Sequence, residues 1–302
     1  MIYVILKGRI GNQLFMFSIA KHIQKAILKK SKIIIDDKEV LKENWTNDLN
    51  YYSNIKSNTT FVHNHKLLIS KKFIVPTIAL IIYKIMVHKK DYMTKYAIEK
   101  KYQNFFNFFG LIICENGYLP YKVKRKNVLI YGYFQSERYF KDSYQDIITS
   151  LSLKNDPNLL SYPNINKIKS RNTVCISIKV EHNVGNEIYD VCTREYWENA
   201  IKYMTENVEN PLFFVCSDNV DYVLNNLLDS DKYEIITQSK GFSAPVSLAA
   251  MSECKHFIIG NTSFGWWAQY LSKNKDKIVI APVKWMNCEM PIDIYQDKWK
   301  LM

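Results

Sequence analysis

Between residues 173 and 281, short apolar runs alternate regularly with helix-type segments, and this alternation constrains the fold more than any other feature. Helix starts are signalled by Thr193, Asn219, Pro245 and Ser263, which are residue types favoured at N-caps and first turns. The apolar runs lie at 173–180, 212–216, 233–236, 257–259 and 277–280. Such alternation predicts a doubly wound parallel sheet whose ligands gather at the carboxyl ends of its strands.

The N-terminal part starts with the same pattern. A strand at 3–6, a turn at 7–12, a helix and a strand at 32–35 form a β-α-β unit, and a strand at 128–133 is followed by a helix predicted from Ser136. Segment 44–127 has weak periodicity and is predicted to be mostly helical and acceptor-facing. A polar stretch at 155–171 is predicted to be a linker. The chain of 302 residues therefore divides into α/β domains at 1–160 and 161–302.

Positive charge is concentrated in the first half of the chain. Residues 1–150 contain 25 Lys and Arg against 11 Asp and Glu, whereas residues 151–302 contain 16 against 18. A basic half can meet nucleic acid, an anionic membrane or a phosphorylated substrate. Because the sequence has no recognisable nucleic-acid-binding module, we expect no nucleic acid as a partner.

The six cysteines are widely scattered, which predicts reduced thiols without a disulfide framework or a metal site. The chain begins with an apolar strand and no secretory leader, so we expect a cytoplasmic protein. The apolar stretch 73–87 is flanked by lysine pairs and is too short to span a bilayer. It predicts a buried or partly buried helix. The alternative is an interfacial helix on anionic lipid of the inner membrane's cytoplasmic face.

Three motifs carry candidate chemistry. The turn from Gly8 to Gln13 joins a strand to a helix, where glycines and free amides suit a phosphate or a sugar, although many α/β proteins need glycine there. Asn261, Thr262 and Ser263 follow another strand and could hold a diphosphate. The Trp266-Trp267 pair comes next, and we expect at least one of the two indoles in the core because adjacent helical side chains do not share one face. Ser217-Asp218 ends a third strand and suits either a ribose or base contact or a helix cap.

These segments together resemble the bacterial α-1,2-fucosyltransferase family over nearly the whole chain. Several separate blocks occur in the family's order. They are the segment from Gly8 to Phe15, the segment from Gly132 to Phe140, the late blocks around Ser217-Asp218 and 251–256, and the block 261–267 with 281–285. Such an ordered set is much more specific than any single motif.

The resemblance implies two Rossmann-like domains facing across a cleft, the GT-B type. It also implies transfer of fucose from GDP-fucose with inversion, α-1,2 to galactose, with no metal or other cofactor. The acceptor would be an oligosaccharide or a lipid-linked glycan in O-antigen (lipopolysaccharide) or capsule synthesis. In that interpretation Asp218, with Ser217, lies near the nucleoside, and Thr262, Ser263, Asn261 and Phe264 lie near the phosphates. Ser177 is a further donor-side position, and the remaining ones come from the other domain: Gly8, Arg9, Gly11, Asn12 and Gln13.

One segment departs from the family pattern. Where the family has His-x-Arg-Arg, this chain has Ser177 at the histidine, Lys179 at the first arginine and Val180 at the second. Lysine keeps the positive charge for the leaving diphosphate but loses the bidentate fork of arginine. The departure leaves two alternatives open: a relative that uses a different GDP-deoxysugar, and a non-catalytic glycan-binding or membrane-surface-binding relative.

The candidate catalytic groups are Lys179 and Arg9 as cations and Glu181 or His182 as general base. Glu181 and His182 are also ordinary residues for a solvated loop. Asp36 and Asp37, at the end of the second strand, compete with them for the role of base.

Overall fold

The computed structural model describes residues 1–57 and 59–302, which form two compact units. The first comprises Met1–Ser152 and Glu289–Tyr295, and the second comprises Leu153–Cys288 and Gln296–Met302. The boundary therefore lies at Ser152, where the sequence places it at residue 160. Segment 289–295 returns to the first domain because its Asp293 accepts hydrogen bonds from Ser136 (2.5 Å) and Arg138 (3.4 Å).

The first domain contains a five-stranded parallel sheet in the order β3-β2-β1-β5-β4. Its strands are β1 (Ile2–Ile5), β2 (Ile33–Asp36), β3 (Thr59–Val62), β4 (Leu111–Cys114) and β5 (Val128–Gly132). Four of them are almost completely buried, as expected for a parallel sheet covered on both faces. The strand order reverses between β1 and β5, so the loops after these two strands flank a crevice.

Six α-helices surround this sheet in the described part of the domain. They are α1 (Ile10–His22), α2 (Lys38–Lys42), α3 (Ser53–Lys56), α4 (Ile74–Met86), α5 (Tyr92–Phe108) and α6 (Tyr144–Ser150).

The prediction for segment 44–127 was correct for α4 and α5 but missed β3 and β4, which are only four residues long; Asn58 in this segment lies outside the described residues. The helix predicted from Ser136 begins instead at Tyr144, since residues 137–139 and 141–143 form two short 3₁₀-helices.

The second domain starts with two short helices where the sequence predicts a linker. These are α7 (Pro157–Leu160) and α8 (Ile165–Ser170). The Asp156 carboxylate caps α7, and α8 buries Ile165 and Ile168. The linker prediction was therefore wrong, because a few buried apolar side chains suffice to fix a short helix in an otherwise polar stretch.

A six-stranded parallel sheet forms the centre of the second domain. Its strands are β6 (Thr173–Ile178), β7 (Leu212–Ser217), β8 (Ile235–Thr237), β9 (His256–Ile259), β10 (Val279–Ala281) and β11 (Lys300–Leu301). The spatial order β11-β10-β9-β6-β7-β8 is that of a dinucleotide-binding Rossmann sheet, with its switch point between β6 and β9. The prediction of two parallel α/β domains is confirmed.

The remaining helices are α9 (Arg194–Asn207), α10 (Val220–Asn226), α11 (Ala244–Ser252) and α12 (Ser263–Leu271). Thr193 and Asn219 cap α9 and α10 through their side chains, and Pro245 lies in the first turn of α11, as predicted.

Trp266 and Trp267 are both completely buried, whereas the sequence assigned at least one of them to the core. Both fit because α12 is enclosed by α11 as well as by β6 and β9, so two faces of the helix are covered.

No helix in the described part of the chain is both long enough and apolar enough to cross a membrane.

Candidate functional site

The switch point of the second sheet has a recess at the carboxyl ends of β6 and β9. Lys179 follows β6 directly, and Gly260 and Asn261 follow β9. The walls are completed by residues of the loop after β6 and of α9, among them Asn183, Asp190, Cys192 and Trp197. Ligands of open α/β sheets bind at this position, so the recess is the first candidate for a binding site.

Lys179 and Asp218 are brought together across this edge of the sheet. The Lys179 ammonium donates to the Asp218 carboxylate, whose other oxygen accepts from the Val180 backbone N–H at 2.8 Å. Both side chains are about one-fifth exposed, so the pair is reachable from solvent. Lys179, predicted to hold the diphosphate, and Asp218, predicted to lie near the nucleoside, are therefore in direct contact. Ser217 is buried beside them and accepts from the Asn219 N–H at 3.1 Å.

Asn261 fastens the loop that borders the recess. Its amide oxygen accepts from the Asn183 side chain at 3.0 Å, and its amide nitrogen donates to the carbonyls of Tyr189 and Trp285, both at 3.0 Å. Because these three bonds use both ends of the side-chain amide, Asn261 shapes the recess by holding the loop in place.

Helix α12 starts at the same edge. Thr262 accepts from the Gly265 N–H at 3.1 Å and so caps the helix. Ser263 and Phe264 form the first turn and are partly exposed, and among the described residues no side chain or carbonyl pairs with the Ser263 hydroxyl. The first amides of a helix lack intrahelical partners and attract anions. This helix start can therefore hold an anionic group with backbone N–H groups and one hydroxyl.

Ser177 lies beneath this edge. It is buried in β6, and a Cβ atom on Gly265 would come within 2.9 Å of its hydroxyl oxygen. The small side chain of Ser177 and the absence of one at Gly265 allow α12 to lie directly on β6. Ser177 therefore fixes the position of the helix start.

Glu181 and His182 occupy an exposed turn after β6. Neither side chain has a polar partner among the described residues, and the His182 backbone is left-handed, with φ at 68°. Both groups are free to meet a ligand from solvent, and their role as general base stays a prediction.

In the first domain, the Gly8 turn lies at the crevice between β1 and β5. Gly8 has φ at 70°, and a Cβ atom there would come within 2.6 Å of the Asn12 amide nitrogen. The Asn12 amide oxygen accepts from the Gln135 side chain at 2.8 Å, which joins the loops after β1 and β5. Arg9 is exposed with its guanidinium 5.8 Å from the Trp45 ring, and Gly11 is buried in the first turn of α1.

Gln13 lies inside the fold, fully buried. Its amide nitrogen donates to the carbonyls of Gly8 (2.9 Å) and Thr46 (2.8 Å), and its amide oxygen accepts from the Asp48 N–H at 2.9 Å. With all its bonding capacity directed at the backbone, Gln13 fastens the Gly8 turn to the segment that precedes α3.

A cluster of histidines and carboxylates follows β2 and β3, and sequence reasoning found only its two aspartates. The His63 Nδ1 atom forms a hydrogen bond with the Asp37 carboxylate at 2.7 Å. The His65 ring forms hydrogen bonds with the carboxylates of Asp36 at 2.6 Å and Glu39 at 3.0 Å. Asp37 is buried, whereas the His63 side chain is 63% exposed. An exposed imidazole oriented by a buried carboxylate is an arrangement suited to proton transfer. The signal in the sequence was His-x-His after a strand, but that strand, β3, had not been recognised.

A second ionic group, mostly shielded from solvent, lies at the ends of β1 and β4. The Lys7 ammonium contacts both carboxylate oxygens of Glu115 at 2.9 Å and lies 4.2 Å from the centre of the Tyr131 ring. Glu99 lies behind Glu115 and accepts from the Tyr83 hydroxyl at 2.6 Å. Burial, together with the Glu115 carboxylate, raises the pKa of Glu99 to about 7, although the Tyr83 hydrogen bond opposes this rise. The group fixes Lys7, and with it the start of the Gly8 turn.

Comparison with known proteins identifies relatives of the whole chain. Residues 1–302 match the family described as glycosyl transferase family 11. The O-antigen biosynthesis glycosyltransferase WbnK of Escherichia coli is 26% identical over 98% of this chain and 99% of its own length. The alpha-1,2-colitosyltransferase of Escherichia coli is 31% identical over 56% of this chain and 60% of its own length. Among solved structures, fucosyltransferase NodZ from Bradyrhizobium is 10% identical, with a TM-score of 0.47 over 89% of this chain and 93% of its own.

Proposed function

Because the chain belongs to glycosyl transferase family 11, we propose that it transfers L-fucose from GDP-fucose to a glycan hydroxyl group. The product is an α-1,2-fucosylated galactoside of an O-antigen or capsule glycan, and the anomeric carbon is inverted. The reaction proceeds without a metal ion or another cofactor. The relative named for O-antigen biosynthesis, which spans the full length of the chain, supports the glycan class.

The observation that carries donor binding is the crowding of anion-binding groups at the switch point of the second sheet. Lys179 follows β6, and the first turn of α12 follows β9. These two strands are neighbours in the sheet. Rossmann sheets hold the phosphates of nucleotides at this point, against the start of a helix. In the proposal, Ser263, Thr262 and the nearby amides bind the diphosphate, Phe264 borders it, and Asp218 with Ser217 lies on the nucleoside side.

The chemistry places negative charge on the departing diphosphate. As the bond from the sugar to the phosphate oxygen breaks, GDP leaves and the acceptor oxygen bonds to the opposite face of the anomeric carbon. Fixed donors near the phosphate oxygens stabilise that charge more in the transition state than in the ground state. Lys179 supplies a full positive charge, Ser263 supplies a hydroxyl, and Arg9 is the further cation in the first domain.

The attacking hydroxyl must lose a proton, which calls for a general base. Glu181 and His182 are our first candidates, because they are exposed, free of polar partners among the described residues, and two or three positions from Lys179. The Asp37–His63 pair is the second candidate, because its buried carboxylate fixes the tautomer and direction of an exposed ring. In the proposal, the Gly8 turn with Gly11 and Asn12 supplies the donor-side positions of the first domain, and the buried Gln13 holds that turn in place.

A different GDP-deoxysugar is the alternative donor. The 31% identity to a protein named as a colitosyltransferase favours it specifically, as does the presence of Lys179 where the fucosyltransferase pattern has arginine. Fucose and colitose differ by one hydroxyl group. A site that hydrogen-bonds this hydroxyl rejects the sugar without it by roughly 10⁴-fold, whereas a site that does not bond it discriminates weakly.

The test is a donor panel of GDP-fucose, GDP-colitose and GDP-mannose with a galactose-terminated oligosaccharide, read by mass spectrometry. We expect a product heavier by one fucose, formed equally well with a chelator present, and kcat/KM highest for GDP-fucose. Higher kcat/KM for GDP-colitose would establish the alternative donor. Absence of any product, despite binding of GDP, would support the non-catalytic relative and refute the proposal.

A further inference from the structure

Helix α4 exposes an apolar face to solvent. Its buried face comprises Pro76, Thr77, Ala79, Leu80 and Tyr83. On the opposite side, Ile85 is 71% exposed, and Ile74, Ile78, Ile81 and Ile82 are 37–53% exposed. At 3.6 residues per turn these five side chains form a stripe about 100° wide. Ile69, in the turn that packs beside α4, is 76% exposed. We call these six residues the isoleucine face.

The ends of the isoleucine face carry uncompensated positive charge. Segment 49–90 contains seven lysines and no Asp or Glu. Lys71 and Lys72 precede α4, Lys89 and Lys90 follow it, and all four are exposed. Among the described residues, none of these four forms an ion pair.

A row of large apolar side chains with lysines at both ends matches the interfacial region of an anionic bilayer. Apolar side chains enter the boundary between headgroups and acyl chains, while lysines remain at the level of the phosphates. We propose that the isoleucine face docks this protein on a membrane surface rich in anionic phospholipid. Helix α4 has 13 residues and lies on the bilayer without crossing it.

The charge favours lipid over a second copy of the chain as the occupant. A two-fold symmetric contact pairs the same patch with itself, which would bring lysine clusters of the two copies close to each other. An anionic surface instead neutralises them, and each lysine near such a surface strengthens binding about five-fold. Docking through α4 is independent of the proposed donor, since none of the six residues of the isoleucine face is among the proposed donor-binding residues.

The test is co-sedimentation of the full chain with vesicles of phosphatidylcholine alone or with phosphatidylglycerol added. We expect binding to the anionic vesicles that is at least about ten-fold tighter than to the neutral ones and that weakens with salt. The triple variant Ile78→Asn, Ile81→Asn, Ile85→Asn should lose about ten-fold or more in binding. Changing Lys71, Lys72, Lys89 and Lys90 to Gln should remove the preference for phosphatidylglycerol.

The matched control is Leu160→Asn with Val283→Asn, which removes two exposed apolar side chains from the second domain and should bind vesicles like the wild type. An unchanged melting temperature of the triple variant shows that the fold is intact. Three results would overturn the proposal: no binding of the wild type to anionic vesicles, undiminished binding of the triple variant, or a wild-type dimer that separates in the triple variant.

Discussion

Replacing Lys179 with alanine should lower kcat/KM about 100- to 1,000-fold while leaving the protein folded. The lost ammonium is the one full positive charge placed at the switch point of the second sheet by β6. Removal of one preorganised donor from a developing negative charge costs about 3–4 kcal/mol of transition-state stabilisation. The variant also leaves the Asp218 carboxylate without its cation, which places an uncompensated negative charge at the proposed diphosphate site.

Stability should fall by only about 1–2 kcal/mol in this variant, because the remaining Asp218 carboxylate still reaches solvent and keeps its hydrogen bond from the Val180 N–H. Lys255→Ala is the matched control. Lys255 precedes β9 at the amino edge of the same sheet, where it bonds Asn172 at 3.0 Å. Steady-state kinetics of both variants with the best donor provide the measurement. Wild-type activity in Lys179→Ala would remove Lys179 from the mechanism, and an equal loss in Lys255→Ala would show a non-specific effect.

Replacing Gly132 with alanine should destabilise the first domain by about 3–5 kcal/mol. Gly132 ends β5 with φ at 128°, directly opposite Cys114 of β4. A Cβ atom on Gly132 would lie 2.1 Å from the Cys114 carbonyl oxygen, and backbone held in a sheet cannot move aside cheaply. Since whole domains are stable by only about 5–15 kcal/mol, this is a large fraction of the total.

Urea unfolding followed by fluorescence checks this prediction. Trp45 is the one tryptophan among residues 1–152 and 289–295, so a variant that keeps only this indole reports on the first domain. Gly185→Ala is the control, because Gly185 also has a left-handed backbone, with φ at 75°, but no atom lies within 4 Å of the added Cβ. It should cost about 1 kcal/mol. Equal costs at the two positions would contradict the steric account.

The second sheet was predictable because a strand buried on both faces is a continuous apolar run. Helix caps at Thr193 and Asn219 marked where the following helices begin. In the first domain, β3 (TTFV) is partly exposed, so it lacks such a run. Because β3 was not predicted, the histidine cluster was not predicted either. Only the position of β3 beside β2 shows that His63 and His65 lie next to Asp36 and Asp37.

The direction in which a side chain points was the other feature that the sequence did not predict. The motif places Gln13 at the same position whether its side chain faces a ligand or the interior. Its inward direction depends on the backbone around Thr46, which bonds the side chain and is distant in sequence. The pairing of Lys179 with Asp218 depends on β6 and β7 being neighbours, which spacing along the chain does not reveal. Likewise, apolar residues occur all around α4, so periodicity did not indicate which of its sides the protein leaves uncovered.

Hydrogen exchange of the full chain with and without saturating GDP locates the amides that the diphosphate contacts. We expect slower exchange at the backbone amides of residues 179–184 and 261–265, because the proposed diphosphate site lies between the end of β6 and the start of α12. Slower exchange confined to other parts of the chain, or no change at a GDP concentration that raises the melting temperature, would contradict this location of the site.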